Sequence, residues 1–161
     1  YAGSVVPSDV DIVLFADDGT ETEAVTRLAR IGFDHVVGSI ERPLQTLIER
    51  PDLVQRASRL TATEFDERRA AVADIQLVDV RNPGEVEAGT VPGAVNIPVG
   101  QLPGRVAELD PARPTVVFCA GGYRSSVAAS LLRSAGFGDV SDVIGGYSAW
   151  AEASSQAPVP A

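Results

Sequence analysis

The segment Thr115–Val140, TVVFCAGGYRSSVAASLLRSAGFGDV, carries the pattern that decides the fold of this chain. It opens with a short apolar run rich in β-branched residues and continues through a loop with two glycines. Apolar residues then recur at helical spacing as far as Gly136. An apolar run without alternation is typical of a strand buried on both faces of a parallel sheet, and a glycine often ends a helix. The segment therefore predicts a strand, a tight turn and a helix, with Cys119 just after the strand.

The same pattern extends outward along the chain. Two further apolar runs, Ile12–Phe15 and Leu77–Val80, also lack alternation. A helical pattern over Thr63–Val72 follows Thr61, and Glu64 stands at the spacing of a capping box. Alternating strands and helices predict the α/β class, an open parallel sheet flanked by helices. Sites in such sheets form at the carboxyl ends of the strands.

The chain contains an internal repeat. The stretch Ile12–Val36 matches Thr115–Val140 in its apolar run, its loop glycine and its helical pattern. Ala16 stands where the later copy has Cys119, so the first loop offers no nucleophile. Carboxylates occupy this loop, and we expect them to cap the helix that follows and to repel an anion: Asp17, Asp18 and Glu21.

The repeat and the composition of the chain predict four regions. Residues 1–50 are expected to be the later half of a degenerate domain, residues 51–57 a linker, residues 58–153 a complete domain, and residues 154–161 a flexible tail. The chain has no Met, even at position 1. We therefore expect it to be part of a longer natural protein.

The bulk composition excludes several classes of function. The 161 residues carry a net charge of −9 and show no basic patch, which argues against nucleic acid. No apolar run approaches the roughly 18 residues that cross a bilayer. One Cys and one His allow neither a disulfide framework nor a Cys/His zinc site. We expect no metal and no cofactor, and a reduced thiol fits a cytoplasmic location.

The loop after the strand has the chemistry of an activated thiol. A free thiol has a pKa of ~8.5, and lowering it by about two units requires roughly 2.7 kcal/mol. A helix N-terminus supplies about 0.3–1 kcal/mol, so further donors are needed. A glycine-rich loop can aim several backbone N–H groups at one sulfur, and Arg124 adds a cation. We predict Cys119 and Arg124 as catalytic residues. The predicted substrate-binding residues are Ala120, Gly121, Gly122, Tyr123 and Ser125.

The spacing of this loop bears on which thiol chemistry it supports. Cysteine phosphatases also close a Cys loop with Arg, but with five intervening residues, whereas four separate Cys119 from Arg124. The shorter loop has less room for a tetrahedral phosphate and can still cradle one sulfur atom. A phosphatase and a non-catalytic binding module stay open as alternatives.

Four motifs in order make the segment from about Leu60 to Trp150 resemble the rhodanese family. The Cys119 loop is similar to the active loop of that family. The other motifs are the strand segment Leu77–Glu85, the segment Gly89–Pro98 and the closing segment Gly145–Trp150. Thr90 departs from the pattern, because the family usually has His there. The set Asp79, Arg81 and Glu85 is interpreted as structural support through local ion pairs.

The resemblance implies a sulfurtransferase. Cys119 would accept sulfane sulfur from a small donor such as thiosulfate or glutathione persulfide and pass it to a thiol or cyanide. A degenerate repeat before an intact one resembles bacterial fusions with an N-terminal metallo-β-lactamase-fold domain, which makes such a domain a candidate partner upstream. The alternative is a non-catalytic binding or regulatory module of a larger metallo-hydrolase fusion.

Overall fold

A computed structural model describes residues 2–156 of the chain. The chain divides into two compact units, the first ending at Arg56 and the second starting at Ala57. This division lies inside the stretch expected to be a linker, 51–57, where a short 3₁₀ turn covers Pro51–Leu53. No helix in the described range is long and apolar enough to cross a membrane.

The first unit contains a two-stranded parallel sheet. Strand β1 (Ile12–Leu14) pairs with β2 (Val36–Ser39), and the chain runs through α1 (Ala2–Val5), α2 (Glu21–Ala29) and α3 (Pro43–Glu49). The order strand, loop, helix agrees with the sequence pattern. The prediction that the run Ile12–Phe15 is buried on both faces is wrong for this unit, because Val13 is 57% exposed and Phe15 is 49% exposed.

Only part of the predicted role of the first-loop carboxylates agrees with the structure. Glu21 lies in the first turn of α2, where a negative charge stabilises the helix as expected. The N-cap residue is Thr20, and its side chain makes no capping hydrogen bond. The Asp18 carboxylate accepts a hydrogen bond from the backbone N–H of Arg42 at 3.3 Å, which is at the start of α3 and not of α2.

The second unit is built on a five-stranded parallel sheet. Its strands are β3 (Ser58–Leu60), β4 (Gln76–Asp79), β5 (Val95–Asn96), β6 (Thr115–Phe118) and β7 (Val140–Val143), and they lie in the order β3-β7-β6-β4-β5. The helices are α4 (Ala62–Ala71), α5 (Pro83–Val86), α6 (Leu102–Arg105), α7 (Tyr123–Ser134) and α8 (Gly146–Gln156), with a 3₁₀ turn at Val106–Glu108. Helices flank the sheet, with α4 packed against α8 and α6 against α7, so the predicted α/β class is confirmed.

Local signals define the ends of two helices in this unit. The hydroxyl of Thr61 accepts from the backbone N–H of Glu64, and the Glu64 carboxylate accepts from the backbone N–H of Thr61. This is the predicted capping box at the start of α4. Helix α7 ends before Gly136, whose φ of +93° suits glycine.

The centre of the sheet is buried and closely packed. Every residue of β4, β6 and β7 is buried. The rings of Phe65 on α4 and Phe118 on β6 lie 6.1 Å apart between centroids, and Tyr147 and Trp150 of α8 pack against the same cluster. Because β6 is buried along its whole length, packing holds its carboxyl end, and therefore Cys119, in place.

Helix α8 extends further than the sequence indicated. Residues 154–156 belong to this helix, although we expected a flexible tail from residue 154. The rest of that expected tail, residues 157–161, lies outside the described residues.

Candidate active site

Cys119 lies at the carboxyl end of β6, the central strand of the sheet. The neighbours of β6 are β4 on one side and β7 on the other. The chain leaves β4 towards β5 and returns on the opposite side as β6, which is the topological switch where ligands bind in open α/β sheets. The thiol is almost fully buried, at 1% exposure.

The loop curls so that backbone N–H groups face the sulfur of Cys119. Gly122 adopts a φ of +94° and occupies the N-cap position of α7. Its N–H donates to Sγ of Cys119 at 3.1 Å. A side chain at Gly122 would be strained by that φ and would lie 3.1 Å from the backbone nitrogen of Gly145. Two adjacent glycines were the sequence signal for this turn.

Ser125 is a second hydrogen-bond partner of the thiol. Its hydroxyl is fully buried, lies 3.6 Å from Sγ of Cys119, and donates to the carbonyl oxygen of Gly122 at 3.1 Å. It is on the first turn of α7, directly beneath the loop. The hydroxyl has one proton, so it accepts from the Cys119 thiol while it donates to Gly122, and it can donate to the thiolate once it turns towards the sulfur.

The pKa of the Cys119 thiol is lower than its ordinary value. Burial is the largest single influence and raises the pKa, but it is outweighed by the hydrogen bonds that surround the sulfur. These come from the Ser125 hydroxyl and from the backbone N–H groups of Ser125, Gly122 and Gly121. The thiolate is therefore stabilised mainly by dipoles of the loop and the helix start, which is the arrangement that activates a thiol for attack on sulfur.

The start of α8 supports the loop from the other side. The N–H of Tyr147 donates to the carbonyl oxygen of Cys119 at 2.6 Å, and the N–H of Ser148 donates to that of Ala120 at 3.1 Å. Gly146 makes this approach possible, because a Cβ there would lie 2.2 Å from the Cys119 oxygen. Gly145 and Gly146 belong to the closing motif seen in the sequence, but no local signal indicates that this segment contacts the Cys119 loop.

Arg124 is held by Glu85, a residue of the strand motif. Nη1 and Nη2 of Arg124 donate to the two carboxylate oxygens of Glu85 at 2.6 and 2.7 Å. The Arg124 contact, helped by the backbone N–H of Asn82, lowers the pKa of Glu85 to about 2, although burial acts in the opposite direction. The sequence groups Glu85 with Asp79 and Arg81, and Arg81 does donate to the backbone carbonyl oxygen of Glu85 at 3.3 Å. The Glu85 carboxylate, however, forms its ion pair with Arg124 of the active loop.

Asp79 and Arg81 form a buried ion pair beneath this edge of the sheet. Three guanidinium contacts join them, the shortest 2.7 Å, and both side chains are at most 4% exposed. Thr90 donates its hydroxyl to Asp79 at 2.7 Å, so the residue that departs from the family pattern still satisfies this carboxylate. Arg81 also lies 4.1 Å from the ring centroid of Tyr147, which ties the pair to α8.

A third ion pair at this edge was missed by sequence reasoning. Arg59 of β3 donates from Nε and Nη2 to the buried carboxylate of Asp142 on β7. Its Nη2 lies near the active loop, 3.8 Å from where a Cβ of Gly122 would stand. The two residues are 83 positions apart in the sequence, and no local signal pairs them.

Comparison with known proteins agrees with this fold and site. The family model of the rhodanese-like domain matches residues 61–153, and the chain belongs to that family. A sulfurtransferase of Allochromatium vinosum is 34% identical over 94 residues, which are 58% of this chain and 88% of that protein. The thiosulfate sulfurtransferase GlpE of Shewanella oneidensis is 38% identical over 81 residues, 50% of this chain and 80% of GlpE.

A solved structure shows the same architecture. The rhodanese-like domain protein of Staphylococcus aureus superposes with a TM-score of 0.54 at 30% identity, over 58% of this chain and 90% of that one. The family match starts at Thr61, so the first unit lies outside it. The family and these relatives support a function of the sulfurtransferase type for the second unit.

Proposed function

We propose that this protein transfers sulfane sulfur from thiosulfate or a persulfide to a thiol or cyanide through a persulfide on Cys119. The observation that carries the proposal is the ring of donors around the Cys119 sulfur, from Gly121, Gly122 and Ser125. These donors stabilise the Cys119 thiolate before the reaction and the terminal sulfur of the persulfide after the first displacement. The buried lone thiol also suits a reducing compartment such as the cytoplasm.

The reaction proceeds in two displacements. The Cys119 thiolate attacks the outer sulfur of the donor, so that a new S–S bond forms and the S–S bond of the donor breaks. The donor leaves as sulfite or as a thiolate with the electron pair. An acceptor thiolate, or cyanide, then attacks the terminal sulfur and regenerates the Cys119 thiolate. No external oxidant or reductant is needed, and the two halves give ping-pong kinetics.

The side chains around the loop are proposed to divide the work. Gly121, Gly122 and Ser125 hold the sulfur, and Ala120 anchors the loop to α8 through its carbonyl oxygen. A direct contact between Arg124 and an anionic donor stays a prediction, and the donor would have to compete with Glu85 for the guanidinium. Tyr123 is exposed at the start of α7, and we propose that it contacts the body of a substrate.

Steady-state assays test this function. Wild-type protein should transfer sulfur from thiosulfate or glutathione persulfide to an acceptor thiol or cyanide with parallel double-reciprocal plots. Cys119→Ser should fold and lose transfer entirely. If folded wild-type protein transfers no sulfur from any of several donors, the site is a binding module and the proposal is wrong.

We further propose that residues 1–50 are the later half of a degenerate related domain. The first unit supports this with the order β1, α2, β2, α3, which parallels β6, α7, β7, α8 in the second unit. Both strand pairs are parallel. A metallo-β-lactamase-fold domain upstream is the proposed fusion partner, and it rests on the resemblance of this tandem arrangement. The coding sequence before Tyr1 tests both points directly.

A further inference from the structure

The guanidinium groups around Cys119 are each matched by a carboxylate. Glu85 binds Arg124 through both of its oxygens, and Asp142 binds Arg59 through Nε and Nη2. Beneath them, Arg81 is paired with Asp79 inside the protein. The named cations and anions at this edge therefore cancel, and the whole chain carries a net charge of −9.

This compensation matters for donors of different charge. Thiosulfate brings two negative charges, and sulfite leaves with two, so its use is favoured by a net positive site. At this site a dianion must displace Glu85 from a bidentate contact at 2.6 and 2.7 Å. An organic persulfide brings at most one charge on the reacting sulfur, and it leaves as a thiolate. The backbone and hydroxyl donors around Cys119 suffice for that single charge.

Apolar surface lies at the same edge of the sheet. Tyr123, the first residue of α7, is 68% exposed, and Ile144, which follows β7, is 45% exposed. Ile144 is next to Gly145, whose backbone nitrogen lies close to Gly122 of the loop. Exposed apolar side chains beside a buried nucleophile contribute nothing to binding a small inorganic dianion, whereas they can cover the carbon skeleton of an organic donor.

We propose that the Cys119 site selects organic persulfides over thiosulfate, because Glu85 neutralises Arg124. The inference rests on the proposed sulfur transfer and adds the class of the donor. Glu85 acts here as a selectivity residue: it occupies the guanidinium that a dianion would need.

The test compares two donors on the intact protein. Loading of Cys119 is followed by rapid quench and mass spectrometry, with thiosulfate and with the persulfide of N-acetylcysteine methyl ester, whose body is uncharged. Wild-type protein should load from the ester persulfide at least about tenfold faster. Glu85→Gln keeps an acceptor for the Asn82 N–H and removes the charge. Glu85→Gln should load faster from thiosulfate, so that the ratio of the loading rates with the two donors falls by about tenfold.

Glu108→Gln is the matched control. Glu108 also binds an arginine through both oxygens, Arg105 at 2.6 and 2.7 Å. It lies in the connection that enters β6 at its amino end, opposite Cys119. This variant should leave the ratio of the two donors unchanged. An equal shift in both variants would mean that global charge sets selectivity and would overturn the role of Glu85.

Salt dependence in the wild type gives an independent readout if Glu85→Gln fails to fold. A net positive site would lose thiosulfate loading steeply as salt rises. Because the arginines at this site are paired with carboxylates, we expect the rate of loading from thiosulfate to stay constant or to rise as salt is added. Loading from thiosulfate as fast as from the ester persulfide, or a steep fall with salt, overturns the inference. Absence of loading from both donors instead overturns the proposed function itself.

Discussion

Replacing Gly146 by Ala should dislodge the active loop from the start of α8. Gly146 has a φ of +59°, and an added Cβ would stand 2.2 Å from the carbonyl oxygen of Cys119 and 2.7 Å from that of Ala120. The conformation alone costs an alanine about 1–2 kcal/mol. Relief of the clash breaks the hydrogen bonds from the N–H groups of Tyr147 and Ser148, at about 1 kcal/mol each. We expect a loss of about 3–4 kcal/mol in the free energy of unfolding.

Urea unfolding followed by tryptophan fluorescence measures this loss in the second unit, which contains the active loop and α8. Trp150 is the one tryptophan of the sequence and lies on α8, against the core of the second unit. Gly136→Ala is the matched control, because its φ is +93° and an added Cβ meets nothing within 4 Å. It should lose only the conformational cost of about 1–2 kcal/mol. Equal losses in the two variants would refute the docking of the loop on α8.

Three other substitutions test the surroundings of the site. Arg81→Ala leaves Asp79 buried without its cation and should lower the free energy of unfolding by about 3–5 kcal/mol in the same urea assay; a loss below about 1 kcal/mol would contradict the buried pair. Thr90→Val removes one hydroxyl donor to Asp79 and should cost about 1–3 kcal/mol, and an unchanged midpoint would show that the contact is dispensable. Ser125→Ala removes the hydroxyl whose hydrogen bond lowers the Cys119 pKa the most, so the pH midpoint of alkylation should rise towards the ordinary thiol value of ~8.5; an unchanged midpoint would show that Ser125 does not stabilise the thiolate.

The sequence was sufficient for the features that depend on neighbours along the chain. The capping box at Thr61, the glycine that ends α7 and the turn at Gly122 each arise within a few residues, and the structure contains them. The parallel sheet followed from apolar runs without alternation. The Cys119 loop was recognisable because strand end, glycines and helix start are contiguous.

Long-range pairing was beyond the sequence. Glu85 and Arg124 are 39 positions apart, and both are compatible with other partners. A pattern of residue types cannot specify which guanidinium a carboxylate will meet, because that depends on how β4 and β6 are placed in the sheet. The exposure of Val13 shows the same limit, since an apolar run predicts burial only where other elements cover it.

Mass spectrometry of the protein after brief exposure to a sulfane-sulfur donor shows directly whether Cys119 carries sulfur. We expect one added sulfur on the peptide that contains Cys119, its loss when an acceptor thiol is added, and no addition to Cys119→Ser. An unmodified Cys119 in folded wild-type protein after treatment with each donor, or an added sulfur that no acceptor removes, would rule out transfer through this residue.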